Sequence, residues 1–97
     1  MNYFACHYSF PNADPDVERV RPQHRAFLDT LFNDGRLVAS GPYTDGGGSA
    51  LVIIRLPEPA GVAEATSLMD ADPYVTEGVL TGRVIRQWNP VKNVFKD

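Results

Sequence analysis

Along the chain, segments in which apolar residues have the spacing of a helix alternate with segments in which they have the pattern of a strand. Within residues 21–34 they fall at i, i+3, i+4 and i+7 from His24 to Leu31, which is the spacing of one helix face. Residues 49–56 form a nearly continuous apolar run, typical of a central strand covered on both faces. With the turn residues between them, these patterns predict strands over residues 2–10, 36–43, 49–56 and 79–88, helices over 21–34, 62–69 and 73–78, and a tail over 89–97.

Proline and aspartate mark where two of these helices begin. Pro22 suits the first turn of the helix over 21–34, because the first N–H groups of a helix have no partner within it. Residues 11–20 are then predicted to form a long polar loop. Asp72 followed by Pro73 predicts an N-cap and the first turn of the last helix.

The element order is β-α-β-β-α-β, the split βαβ arrangement of ferredoxin-like α+β domains. This order places four strands in one antiparallel sheet with the helices on a single face. The opposite face is left bare, and a large exposed apolar face is rare on a soluble monomer. We therefore expect a second copy of the chain to cover it, which predicts a homodimer.

Length, charge and cysteine content narrow the possible functions. With 97 residues, the chain is expected to form a single domain over residues 1–97. Nine Lys and Arg against twelve Asp and Glu give a net charge of −3, which argues against nucleic-acid and membrane-surface partners. The sequence also lacks an apolar run near the roughly 20 residues of a membrane span, a signal-peptide pattern and a second cysteine. These features predict a cytoplasmic protein.

His24 and Asp72 are the residues best suited to acid/base chemistry. His24 lies in the apolar stripe of its helix and should face the sheet, either as a buried histidine satisfied by one hydrogen bond or as a general acid/base. Asp72 is either an ordinary helix cap or a carboxylate that orients His24, because the helices share one face of the sheet. The two roles of Asp72 are compatible, since each carboxylate oxygen can serve one of them.

Three sequence blocks resemble the signature of the YciI (YCII-related) family. They are RPQHRAFL at 21–28, GRLVASGP at 35–42 and DADPY at 70–74, and the resemblance extends over nearly the whole chain. It implies a ferredoxin-like domain that pairs into a dimeric α+β barrel, with a His–Asp dyad that by position is His24 and Asp72. It also implies that the protein is related to isomerases, monooxygenases and a dehydrochlorinase of the same superfamily. The resemblance does not identify the substrate.

Five further residues are candidates for substrate binding. Ser40, Gly41 and Pro42 end the second strand: either Gly41 and Pro42 simply terminate strand pairing, or Ser40 offers a hydroxyl to the pocket and Gly41 lets a ligand approach the backbone. Tyr74 is either a phenolic donor in the pocket or a half-buried aromatic. Arg21 either binds an anionic substrate or is a solvated helix residue.

We expect neither a cofactor nor a metal. Cys6 and His7 are adjacent on a strand and point to opposite faces, so they cannot hold one metal ion together. The leading hypothesis is a cofactor-independent enzyme of the lyase (dehydrochlorinase), isomerase or hydrolase type, in which His24 and Asp72 move a proton on a small organic substrate. The alternative is a non-catalytic or accessory dimer that binds a small molecule in the same pocket.

Overall fold

The computed structural model describes residues 1–95 as one four-stranded antiparallel sheet with three helices. In chain order the elements are β1 (Asn2–Ser9), α1 (Pro15–Asn33), β2 (Leu37–Pro42), β3 (Ala50–Leu56), α2 (Val62–Met69), α3 (Pro73–Thr76) and β4 (Gly82–Trp88). The strand order in the sheet is β2-β3-β1-β4. The predicted ferredoxin-like α+β fold is therefore confirmed. The last two residues of the predicted tail lie outside the described part of the chain.

Helix α1 begins at Pro15, so the predicted start at residue 21 is wrong. The Asp14 carboxylate accepts hydrogen bonds from two backbone N–H groups of the first turn, at 2.8 and 3.4 Å, and Pro15 follows this cap at once. The second half of the predicted loop over 11–20 is consequently helical. Pro22 lies inside the helix rather than at its first turn.

Pro22 is tolerated in the helix interior because it lies on the solvent side of α1. Both Pro22 and Glu18, whose carbonyl would accept the missing N–H, are exposed, so water can take the place of the lost hydrogen bond. The opposite side of the helix carries Val17 and Val20, which are buried in line with His24. This longer apolar stripe holds the first half of α1 against the sheet.

The last strand also begins later than predicted, at Gly82 instead of residue 79. Gly78 adopts the left-handed conformation, with φ of 66°, just after α3. The N–H of Val79 then turns back to the carbonyl of Tyr74, at 3.2 Å. The N–H of Val79 therefore closes the turn that follows α3, and it cannot donate to the sheet.

The sheet packs one face against the helices and leaves most of the other uncovered within the described chain. At one end of that second face, Phe95 packs on Tyr3 and Trp88, with ring centroids 5.9 and 6.3 Å apart. Phe4, Cys6 and Tyr8 alternate along β1 on the helix side, and each is fully buried. On the opposite side, Val84 and Trp88 of β4 are 53% and 41% exposed. No helix among residues 1–95 has the length and apolar character needed to cross a membrane.

Candidate active site

His24 of α1 and Asp72 at the start of α3 meet on the helix side of the sheet. The ring nitrogen Nδ1 of His24 lies 2.9 and 2.8 Å from the Oδ1 and Oδ2 atoms of Asp72, although 48 positions separate the two residues in the chain. Asp72 is fully buried and His24 is 7% exposed. The contact thus links two helices through a pair of polar groups that water barely reaches.

The Asp72 carboxylate accepts hydrogen bonds from three different groups. Besides His24, the backbone N–H of Tyr74 donates to Oδ1 at 2.9 Å, and the hydroxyl of Tyr8 donates to Oδ2 at 3.1 Å. These donors satisfy a buried acceptor that has no water to replace them. Because the carboxylate accepts from Nδ1, it holds the proton of the neutral imidazole on that nitrogen. Asp72 therefore serves as helix cap and as partner of His24 together.

Tyr8 is a permanent donor in this arrangement. Its side chain is fully buried, and burial together with the neighbouring Asp72 raises the pKa of its hydroxyl above the ordinary value. The hydroxyl therefore keeps its proton and continues to donate to Oδ2. Sequence analysis did not identify Tyr8, because its place on the inward face of β1 signals burial but gives no sign of the polar group that it meets.

Tyr74 lies flat against the imidazole of His24. The two ring centroids are 3.8 Å apart and the ring planes differ by 7°. Tyr74 is 2% exposed, and Phe10 packs on its ring with a centroid distance of 5.8 Å. Within residues 1–95 its hydroxyl has no hydrogen-bond partner. The stack and the Asp72 contact together fix the plane of the imidazole, and they leave its other nitrogen, Nε2, unbonded in the described chain.

A cleft of about 170 Å³ opens beside His24. The residues predicted to bind substrate, Arg21, Ser40, Gly41, Pro42 and Tyr74, all line it together with His24, whereas Asp72 lies behind the imidazole. A Cβ atom added at Gly41 would meet nothing within 4 Å, so there is open space beside this backbone. The structure thus brings every predicted site residue to one place, although their roles remain predictions.

The comparisons with known proteins agree with this fold. The family model of the YCII-related domain matches residues 1–89. The chain belongs to the YCII-related family. A search of curated proteins found no match to the sequence.

Two solved structures resemble this YCII-related domain. The 5-chloro-2-hydroxyhydroquinone dehydrochlorinase of Burkholderia phenoliruptrix AC1100, in complex with 2,5-dihydroxybenzoquinone, is 18% identical with a TM-score of 0.71, covering 92% of this chain and 94% of its own. An antibiotic biosynthesis monooxygenase is 13% identical with a TM-score of 0.56, covering 92% and 97%. At these identities the likeness shows the fold alone.

Sequence analysis of this YCII-related domain missed part of the cleft lining. Four apolar side chains form its walls, namely Phe10, Leu28, Ala50 and Val52. Arg25 lines the cleft as well, one turn after Arg21 on α1. The sequence could have indicated Arg25, because residues four apart lie on the same helix face and Arg21 was already a candidate. The wall residues gave no such signal, because an apolar residue at a cleft looks the same in the sequence as one in the core.

Proposed function

We propose that this YCII-related domain is a cofactor-independent enzyme in which His24, oriented by Asp72, moves a proton on a small cyclic or aromatic substrate. The observation that carries the proposal is the 2.8 Å contact between Nδ1 and the buried Asp72 carboxylate. That contact occupies one ring nitrogen and leaves the lone pair of Nε2 for a molecule in the cleft. A histidine held in one tautomer by a carboxylate is the arrangement that general-base catalysis uses.

The arrangement supports a two-stage proton transfer. Nε2 first removes a proton from a C–H or O–H group of the substrate, and the electron pair left behind forms a double bond as a leaving group such as chloride departs with its own pair. The imidazolium formed is stabilised by the Asp72 charge and by the stacked face of Tyr74. In the second stage of an elimination, the imidazolium gives this proton to water and Nε2 is again a base; in an isomerisation, the same proton returns to another atom of the substrate. Positioned acid/base catalysis of this kind supplies roughly 10²–10⁴-fold in rate.

The size of the cleft favours a substrate with a single ring. An apolar cavity of about 150 Å³ is large enough for benzene, and this cleft measures about 170 Å³. Drug-sized ligands occupy pockets of about 300–1,000 Å³. The similar dehydrochlorinase was solved with a one-ring quinone, which supports this size class.

The test is the His24→Asn variant, assayed on a panel of chlorinated hydroxyhydroquinones, catechols, small lactones and ring compounds of these classes that also carry a carboxylate. An asparagine amide can donate to Asp72 in place of Nδ1 but cannot act as a base, so we expect turnover to disappear while the melting temperature stays within a few degrees. Gln23→Asn, at an exposed position of α1 next to His24, is the matched control and should keep full turnover. Full activity in His24→Asn contradicts the proposal. Binding of a panel compound by wild type, seen as a thermal shift without any product, favours the non-catalytic binding domain instead.

We further propose that the protein acts as a homodimer in the cytoplasm. Exposed apolar side chains on the uncovered sheet face, Val84 and Trp88, support a second copy as the covering partner. The single cysteine, Cys6, is buried in the core and has no second cysteine to pair with, which suits a reducing compartment.

A further inference from the structure

Two arginines flank His24 on α1, and both line the cleft. Arg21 lies one turn before Arg25, so their side chains lie on neighbouring parts of one helix face. Neither guanidinium has an ion pair or a hydrogen bond within residues 1–95. Arg19 of the same helix differs in this respect, because it lies 3.7 Å from the Asp16 carboxylate. The two arginines at the cleft are therefore available to a ligand.

These two cations give the cleft a positive side in a protein of net charge −3. Twelve acidic residues are available to pair with nine basic ones. Asp29 follows Arg25 by one turn of α1, yet the two form no ion pair in the described chain. A guanidinium presents a rigid fork of donors that matches a carboxylate with two parallel hydrogen bonds. The cleft thus joins an apolar, ring-sized interior to a positively charged side.

We propose that the cleft binds a single-ring carboxylate, with the ring between Phe10, Leu28 and Val52 and the carboxylate on Arg21 and Arg25. This inference rests on the proposed function, in that the bound anion is the substrate on which His24 acts. The anionic end would anchor the ring beside the imidazole. Arg25 would then help determine specificity through charge.

The test compares benzoate with benzamide, which differ in charge but hardly in shape. Affinities are measured by NMR titration at low ionic strength for wild type, for the double variant Arg21→Gln/Arg25→Gln and for the matched control Arg19→Gln. We expect wild type to bind benzoate about five- to ten-fold more tightly than benzamide, because each exposed ion pair contributes a few-fold at most. The preference should shrink as salt is added, vanish in the double variant and persist in the control.

Equal affinity of wild type for the two compounds overturns the inference, and so does the failure of both to bind. A preference that survives in the double variant also overturns it. If that variant does not fold, the comparison of the two ligands and its salt dependence in wild type decide the question. The measurement needs no turnover, so His24→Asn should keep the benzoate preference. A charge preference without catalysis in any assay would contradict the proposed function and leave the binding inference standing.

Discussion

The substitution Asp72→Asn tests the link between the buried carboxylate and the reactive nitrogen. Asparagine has nearly the same shape but offers one acceptor oxygen and one NH₂ donor. Its oxygen is needed by the backbone N–H of Tyr74, which in wild type donates to Oδ1 at 2.9 Å. The NH₂ group then faces Nδ1 of His24, which has to accept a hydrogen bond rather than donate one. The imidazole proton consequently moves to Nε2, and the nitrogen left for the cleft becomes a donor.

The expected losses follow from the hydrogen bonds that change. Removing the base should reduce turnover by about 10²–10⁴-fold, the range that a positioned acid/base group supplies. The cap of α3 survives, but the bond with His24 loses its charge, and the Tyr8 hydroxyl can only accept from the NH₂ group that replaces Oδ2, so its own proton loses its acceptor; together these changes should cost about 1–2 kcal/mol of unfolding free energy. For a domain of this length, that loss lowers the melting temperature by roughly 5–15 °C. Asp72→Ala leaves both partners unsatisfied and removes the cap, so it should cost about 3–5 kcal/mol.

The decisive assay reads the tautomer directly by long-range ¹H–¹⁵N correlation of the histidine ring. It is recorded at a pH at which the ring nitrogen shifts show one proton on each histidine ring. We expect the neutral ring of His24 to carry its proton on Nδ1 in wild type and on Nε2 in Asp72→Asn. Asp29→Asn is the matched control, since Asp29 is exposed on α1 and should leave the tautomer unchanged. A proton on Nε2 in wild type, or an unchanged tautomer in Asp72→Asn, would refute this account of the site.

Three further predictions concern the stack, the core thiol and the open sheet face. Tyr74→Phe keeps the stack on His24 and removes a hydroxyl with no partner in the described chain, so the melting temperature should stay within about 3 °C; a loss of turnover in this variant would assign the hydroxyl to the substrate. Burial raises the pKa of the Cys6 thiol to about 12, whereas the unfolded thiol titrates near 9.0. The unfolded state therefore loses its proton first, and denaturant titrations should show the unfolding free energy falling above that pH by at most about 1.4 kcal/mol per pH unit, with a shallower slope in Cys6→Ala. Val84→Asp places a charge on the uncovered face and should yield a 10.7 kDa monomer in sedimentation equilibrium, and a wild-type chain that is already monomeric would contradict the homodimer.

The order of the elements was predictable because its signals are local. Alternating side chains, turn residues and the run over 49–56 placed β3 in the middle of the sheet without any knowledge of packing. The start of α1 was predicted wrongly because a proline in a helix interior usually costs about 3 kcal/mol. Here the apolar stripe through Val17 and Val20, the cap at Asp14 and the exposure of Pro22 outweigh that cost. The correct start is visible only when the stripe and the cap are considered together.

Site residues could be predicted only where the local sequence around each residue carried a recognisable pattern. The apolar stripe pointed to His24 and the cap pattern to Asp72, and the topology suggested that they meet. The hydroxyl of Tyr8 reaches Asp72 only because β1 lies beneath the junction of α1 and α3, which no local pattern encodes.

The residues that surround His24 in the candidate site also stabilise the fold. Asp72 caps α3, Tyr8 fills the core, and Tyr74 packs between Phe10 and the imidazole. The interactions that would orient the base are therefore the same interactions that hold the helices on the sheet. A loss of turnover after substitution at these positions has two possible origins, a changed tautomer or a loosened fold. The backbone amide spectrum of the same samples separates them, because a changed tautomer in an intact fold keeps the wild-type dispersion of the amide signals, whereas a loosened fold loses it.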